Sequence, residues 1–375
     1  MARAEGTDAV AISVKKMRPA RVLFVALGVI LLYFILFPYP LGRERVARAA
    51  WAVQLPALGK GTSLEDSTTS DGSAPASFSL GDRFGYVEPD GRLLHIEKVL
   101  FRVALSDAGF INYTRLGTDW IMYDPHGKRL LSVSGSGYPL LSPDGGRLFN
   151  VATDLSGIIE LDAEGETLWS REFPGMMTSV SVHGDSLLVG LLNGTLLLLN
   201  REGSVVFEHS PAGSRVPVIL GDAISVDSSL IACVSGIDPQ YCTVFRRHGS
   251  TYVAVSKTLL ASDFRREVRM TFAPDSRLLV LEGERSAGIL DAARRVQSLL
   301  PLSGALAGVS FPGHGLCTAL VAHDGSRGDL QIVAPFSAPV LRESFAAREL
   351  SVGTVGGQLL LGIDGQLVRI DIEAL

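Results

Sequence analysis

Gly157-Ile-Ile-Glu-Leu-Asp-Ala-Glu-Gly-Glu-Thr-Leu-Trp-Ser-Arg-Glu-Phe173 reads as two short strands around a tight turn. Apolar Ile158 and Leu161 lead into Asp162-Ala163-Glu164-Gly165, where Gly165 can supply the positive φ that a hairpin turn requires. Thr167-Leu168-Trp169 then runs back. The same pattern returns at Trp120-Ile-Met-Tyr-Asp-Pro-His-Gly-Lys-Arg-Leu-Leu-Ser132 and at Thr195-Leu-Leu-Leu-Leu-Asn-Arg-Glu-Gly-Ser-Val-Val-Phe207.

Working outward from these hairpins, segments that suit an inner strand begin near Val99, Pro139, Thr178, Ala223, Val268, Leu306 and Leu350, roughly forty residues apart. Each interval parses as four short strands separated by Gly and Asp turns, and no long amphipathic helical period interrupts them. A four-stranded repeat of about this length specifies an all-β propeller. Seven four-stranded blades are expected over residues 83–375, with six as the alternative. The final unit supplies Leu350–Thr354, Gln358–Gly362 and Leu367–Ile372 and then ends, so Arg92–Lys98 is expected to complete it as a fourth strand.

Gly157–Trp169 resembles the repeat of the PQQ-like propellers, which include quinoprotein dehydrogenases and the outer-membrane assembly lipoprotein of the Bam complex. Ser142-Pro143-Asp144-Gly145 and Ala273-Pro274-Asp275-Ser276 resemble the first-hairpin turns of WD40-like propellers. The resemblance holds at repeat level over residues 83–375 and implies a fold, not a function. The Gly-His and Trp-Asp pairs of WD40 blades are missing, as is the adjacent-cysteine pair of the quinoproteins; Cys233 and Cys242 stand apart in the chain.

Ahead of the repeat, residues 22–38 carry no charge, and with Tyr39, Pro40 and Leu41 the run is long enough to cross a bilayer as a helix. A signal anchor is expected at 22–41, after a cytoplasmic tail at 1–21. The competing reading is a cleaved signal peptide with Ala47-Arg48-Ala49 as its processing site. Lys15, Lys16, Arg18 and Arg21 crowd the N-terminal flank, which favours a propeller facing the periplasm or exterior from the inner membrane. Residues 42–82, whose stretch 57–82 is rich in Ser, Thr, Gly, Ala and Asp, read as a flexible tether.

Composition excludes several activities. A formal net charge of −5 over 375 residues gives no basic face for nucleic acid. The seven histidines never fall at metal-ligand spacing, and neither a Gly-x-Ser-x-Gly elbow nor a phosphate-binding glycine loop is present. No cofactor is expected.

The turns divide into two kinds. First-to-second and third-to-fourth turns, which share one face of a propeller, are short and generic, as in Pro143-Asp144-Gly145 and Glu164-Gly165. Second-to-third turns and blade-to-blade links share the other face and are longer and individual. Function tends to sit on loops carried by a rigid scaffold. That second face collects Arg115, Tyr138, Arg215, Asp238, Gln240, Phe264, Arg265 and Arg266, a mixture of arginine and aromatic residues that binding surfaces favour. The expectation is a membrane-anchored, non-catalytic scaffold that binds envelope proteins through this face, with a quinoprotein-like or glycan-acting enzyme as the alternative.

Overall fold

The computed structural model describes residues 45–56 and 74–374, apart from positions 116, 292, 293, 295, 314, 316, 335 and 338. A compact unit spans Ala47–Glu373. Every regular element among the described residues is a strand, and none of their helices is long and apolar enough to cross a membrane, because there are none. The expected span at 22–41 lies outside the described residues.

The strands form eight antiparallel sheets, seven of four strands and one of three. Blade 1 is the three-stranded sheet Ala76–Leu80, Arg83–Val87 and Leu93–Lys98. Blades 2 to 7 are consecutive four-strand meanders whose inner strands are Arg102–Ser106, Tyr138–Leu141, Met177–His183, Val216–Ile224, Met270–Phe272 and Ala305–Ser310. Blade 8 joins Leu350–Val355, Gln358–Ile363 and Gln366–Ala374 to a strand from far upstream, Arg45–Gln54.

Three expectations are thereby corrected. There are eight blades rather than seven or six, because residues 76–98 build a sheet of their own. Leu93–Lys98 pairs with Arg83–Val87, and the strand that completes the last blade is Arg45–Gln54. The tether expected at 42–82 therefore contains two strands of the propeller, Arg45–Gln54 and Ala76–Leu80.

Blade 1 also runs upside down. In blade 8 the link residues Arg348 and Glu349 donate to Asp364 of its second-to-third turn, so links and second-to-third turns share a face. Gly81, in the first turn of blade 1, lies against the Glu349 side chain on that same face. Pro89, in its second turn, lies against Gly356, in the first turn of blade 8. The inversion follows from strand parity. A four-strand meander begins and ends at one face, whereas a three-strand meander ends at the face opposite its start. To deliver the chain to the link face, where Leu100 N–H meets Asn112 Oδ1 and Arg102 begins blade 2, blade 1 has to start at the other face.

Tryptophans fasten outer strands to the next sheet. Trp169 of blade 3 lies on Gly203 of blade 4 and donates Nε1–H to the Arg201 carbonyl at 3.0 Å. Trp51 of blade 8 lies on Gly91 of blade 1 and donates to the Pro89 carbonyl at 2.8 Å. Both glycines have positive φ, +72° and +95°; a Cβ at Gly203 would collide with the indole at 2.5 Å, and one at Gly91 would press on it at 3.0 Å. The ring closes through the same contact that joins its ordinary neighbours. Leu55 adds to the closure by packing with Phe78, Leu80, Val87 and Ile96 of blade 1 and Leu360 and Leu367 of blade 8.

Cys233 and Cys242 are buried free thiols on neighbouring strands of blade 5. Cys233 aligns with Thr243, not with Cys242. That one-residue offset sends Cys233 into the core toward blade 4 and Cys242 into the core toward blade 6. Burial pushes both thiols up, Cys242 to about 12.

Candidate functional site

The link face carries the residues singled out in the sequence, and it separates them into two groups. Gln240 and Phe264 are structural. Gln240 is buried; its Nε2 donates to the Gly236 and Phe264 carbonyls, and its Oε1 accepts from Phe264 N–H. It thus ties the second-to-third turn of blade 5 to the link that enters blade 6. Phe264 packs on the apolar core of those two blades, and Tyr138 packs between blades 2 and 3 with its ring 6.2 Å from Tyr113.

Arg215 and Asp238 form an exposed pair at 3.0 Å, and Arg215 N–H also donates to the Asp238 carbonyl. Asp238 has positive φ and is followed by a cis Pro239. Arg266 makes a two-pronged contact with the buried carboxylate of Glu282, at 3.0 and 2.7 Å, and its guanidinium lies 4.5 Å from the Phe264 ring centre. The acid keeps that guanidinium protonated, raising its pKa through the hydrogen bonds from Arg266. Arg115 and Arg265 are exposed and have no side-chain partner among the described residues. Of the four arginines expected on this face, Arg215 and Arg266 are paired with acids, and only Arg115 and Arg265, on blades 2 and 6, are not.

Next to the Phe264–Arg266 link lies a groove that the sequence did not announce. It has a volume of about 650 Å³ and runs between the end of the outer strand of blade 5 and the outer half of blade 6. Leu259 and Leu299 stand on its walls, exposed by 62% and 64%. Its surface is opened by missing side chains: Ala261, Ser262, Gly283, Ser286, Gly288 and Ser298 occupy positions where larger residues would close the gap. Leu281 and Leu290 supply further apolar lining, while Glu284 and Arg285 give it polar groups on the Gly283–Ser286 turn.

Such a site can take an apolar side chain or a short extended segment, with carbonyls and hydroxyls available at its edges. The signal for it in the sequence is slight. Glycines at 283 and 288 fall beside and within a strand that otherwise reads as core, Ser286-Ala-Gly-Ile-Leu-Asp291. The exposure of Leu259 and Leu299 depends on the spacing of two blades and has no local signature. Among the described residues, no group of three or more His, Cys, Asp or Glu side chains is placed to hold a metal ion.

A family model described as a β-propeller protein matches residues 13–375, and the chain belongs to that β-propeller family. An uncharacterized protein of Treponema pallidum (strain Nichols) is 22% identical over 298 residues, covering 80% of this chain and 78% of that protein. BamB from Moraxella catarrhalis is similar in structure at a TM-score of 0.59 and 16% identity, over 87% of this chain and 98% of BamB. The computationally designed Ika8 protein is similar at a TM-score of 0.59 and 14% identity, over 80% of this chain and 96% of that one. At these identities the structural likeness shows the fold alone.

Proposed function

We propose that this protein is a non-catalytic interaction scaffold of the cell envelope, whose link face receives a segment of another protein in the groove between blades 5 and 6. The observation that carries the reading is the pair Leu259 and Leu299, two largely exposed leucines facing one cleft on a rigid ring. Large exposed apolar groups in a concave setting gain most from being covered by a partner. The adjoining Arg265 offers a planar cation, so a partner segment with an apolar anchor beside a carboxylate matches the site best.

Attachment to the inner membrane through residues 22–41 forms part of the proposal, with the propeller on the periplasmic or exterior side. Its support is the uncharged run at 22–38 and the basic residues before it, both within the span of the family match. The PQQ-like character of the repeat is proposed on the interblade contact of Trp169 with Gly203.

The test is affinity capture of the full chain from membranes, comparing the native protein with Leu259→Glu/Leu299→Glu. A specific co-purifying protein that is lost with the double variant is the expected result. The same captured set with both proteins overturns the assignment of the groove.

A further inference from the structure

Among the described residues, seven blades end in a fourth strand, and blade 1 ends in its third, Leu93–Lys98. From Lys98 the chain passes through Val99, Leu100 and Phe101 directly into Arg102, the first residue of blade 2. The outer edge of blade 1 therefore stops one strand short of the rim, between the outer strands of blade 8, Arg45–Gln54, and blade 2, Arg129–Ser136.

Each side of this recess has a definite character. Leu93 and Ile96 pack toward blade 8 with Phe78, Leu80 and Val87. Leu94 packs toward blade 2 with Phe84, Tyr86 and Phe110, and the His95 ring stacks on Phe110 at 4.9 Å. Gly127, in a turn of blade 2, abuts His95. At the exit, Asn112 Nδ2 donates to the Lys98 carbonyl and to Glu97 Oε1, which fixes the end of the strand. Just beyond it Leu100 and Phe101 are exposed by 64% and 43%, with Leu130 half exposed on the blade 2 side.

Charge around the recess is one-sided. Arg102, Lys128 and Arg129 are exposed around it with no acidic partner among the described residues, while Lys98 is paired with Asp82. The nearby acids are already engaged, Asp82 with Arg83 and Lys98, and Glu97 with Asn112 and His95.

We infer that Leu93–Lys98 is a docking edge, completed in use by an extended segment of a partner protein that bears acidic and apolar residues in alternation. Strand addition supplies main-chain hydrogen bonds along an unpaired edge, and alternate side chains of the incoming strand read the two flanks. Leu100 and Phe101 offer the apolar contact, and Arg102, Lys128 and Arg129 select for carboxylates. The recess also disfavours pairing with a second copy, because both flanking blades project beyond the edge. This inference stands apart from the groove between blades 5 and 6 and does not depend on it.

The test uses the purified full chain with the peptide acetyl-Glu-Val-Glu-Val-Glu-Val-amide, and a control peptide N-methylated at alternate residues, which cannot donate along one edge. Hydrogen exchange at the amides of residues 93–98 is the readout. About tenfold slower exchange is expected with the first peptide and no change with the control. Leu100→Ser/Phe101→Ser, two exposed positions, should retain the fold and weaken binding about fivefold. Unchanged exchange at saturating peptide, or equal effects of the two peptides, overturns the inference. Slowed exchange that grows with protein concentration and without peptide also overturns it, in favour of pairing between copies.

Discussion

Ser179 Oγ donates to Asp222 Oδ2 at 2.5 Å across the seam between blades 4 and 5. The other carboxyl oxygen of Asp222 is buried without a hydrogen-bond partner. Ser181 Oγ donates to the Asp222 carbonyl and Thr178 Oγ1 to the Ile219 carbonyl, so inner strands of two blades are stitched together around one acid. Burial pushes the Asp222 carboxyl from 3.8 up to about 7, opposed by the hydrogen bond from Ser179.

The sign of the pH effect follows. An acid with a raised folded pKa holds its proton in the folded state while the unfolded chain has lost it. Asp222 therefore favours folding most at low pH, and its contribution falls as pH rises from about 4 to about 7, by up to about 4 kcal/mol. Asp222→Asn keeps the shape without the ionisation and should flatten this part of the stability profile, with its largest relative gain above pH 7. Denaturant unfolding between pH 5 and 8 checks it; parallel profiles of native protein and variant would count against the assignment.

Closure of the ring rests on Trp51. Trp51→Ala removes the indole over Gly91 and its hydrogen bond to Pro89, and should cost about 2–3 kcal/mol. Trp51→Phe should recover the packing and lose only the hydrogen bond, about 1 kcal/mol. Thermal unfolding ranks the three proteins, and equal midpoints would show that blade 8 closes without this contact.

Two ion pairs, one buried and two-pronged and the other exposed and single, should behave very differently. Arg147 donates to Glu160 at 2.9 and 2.6 Å with both side chains buried, and its guanidinium also lies 4.8 Å from the Phe149 ring centre. Arg147→Ala leaves the buried Glu160 carboxylate with only the longer contact to Arg201 at 3.6 Å and should cost about 3 kcal/mol. Arg215 and Asp238 are each 66% exposed, and Arg215→Ala should cost at most about 1 kcal/mol. Urea unfolding of the two variants gives the comparison directly.

The groove between blades 5 and 6 can be filled from inside. A Cβ at Gly288 would meet Leu281 side-chain atoms at 3.2 Å, close enough to require a small shift and no more. Gly288→Ala should therefore fold with a loss under about 1 kcal/mol. It should nonetheless reduce capture of the partner that Leu259→Glu/Leu299→Glu abolishes. Undiminished capture by Gly288→Ala would place the contact on the leucines alone.

Strand type and repeat were legible because both are local. Turn glycines such as Gly165 and Gly203 recur at fixed offsets within hairpins, and the alternation around them is set by each strand's own burial. Six four-stranded units and three strands of the last were visible for that reason, as was the division of turns between two faces. Arg45-Val-Ala-Arg-Ala-Ala-Trp-Ala-Val-Gln54 has no comparable signal. Its alanines and arginines suit a helix at least as well, and it is a strand because the last blade presents an edge hundreds of residues later. Blade 1 was hidden by the Ser- and Gly-rich composition ahead of it. Its inversion is a matter of strand parity, which appears only once all its pairings are known.

The candidate site shows the same division. The sequence determined that Arg115 and Arg265 lie on loops of one face, since hairpin topology dictates on which side each loop falls. Tertiary structure decided that Arg215 and Arg266 are occupied by Asp238 and Glu282, and that Gln240 is buried as a tie between two loops. It also decided that Leu259 and Leu299, forty residues apart and on different blades, face one cleft. The reason is physical: a residue's own strand fixes the side on which it points, but only the neighbouring blade determines whether anything meets it there.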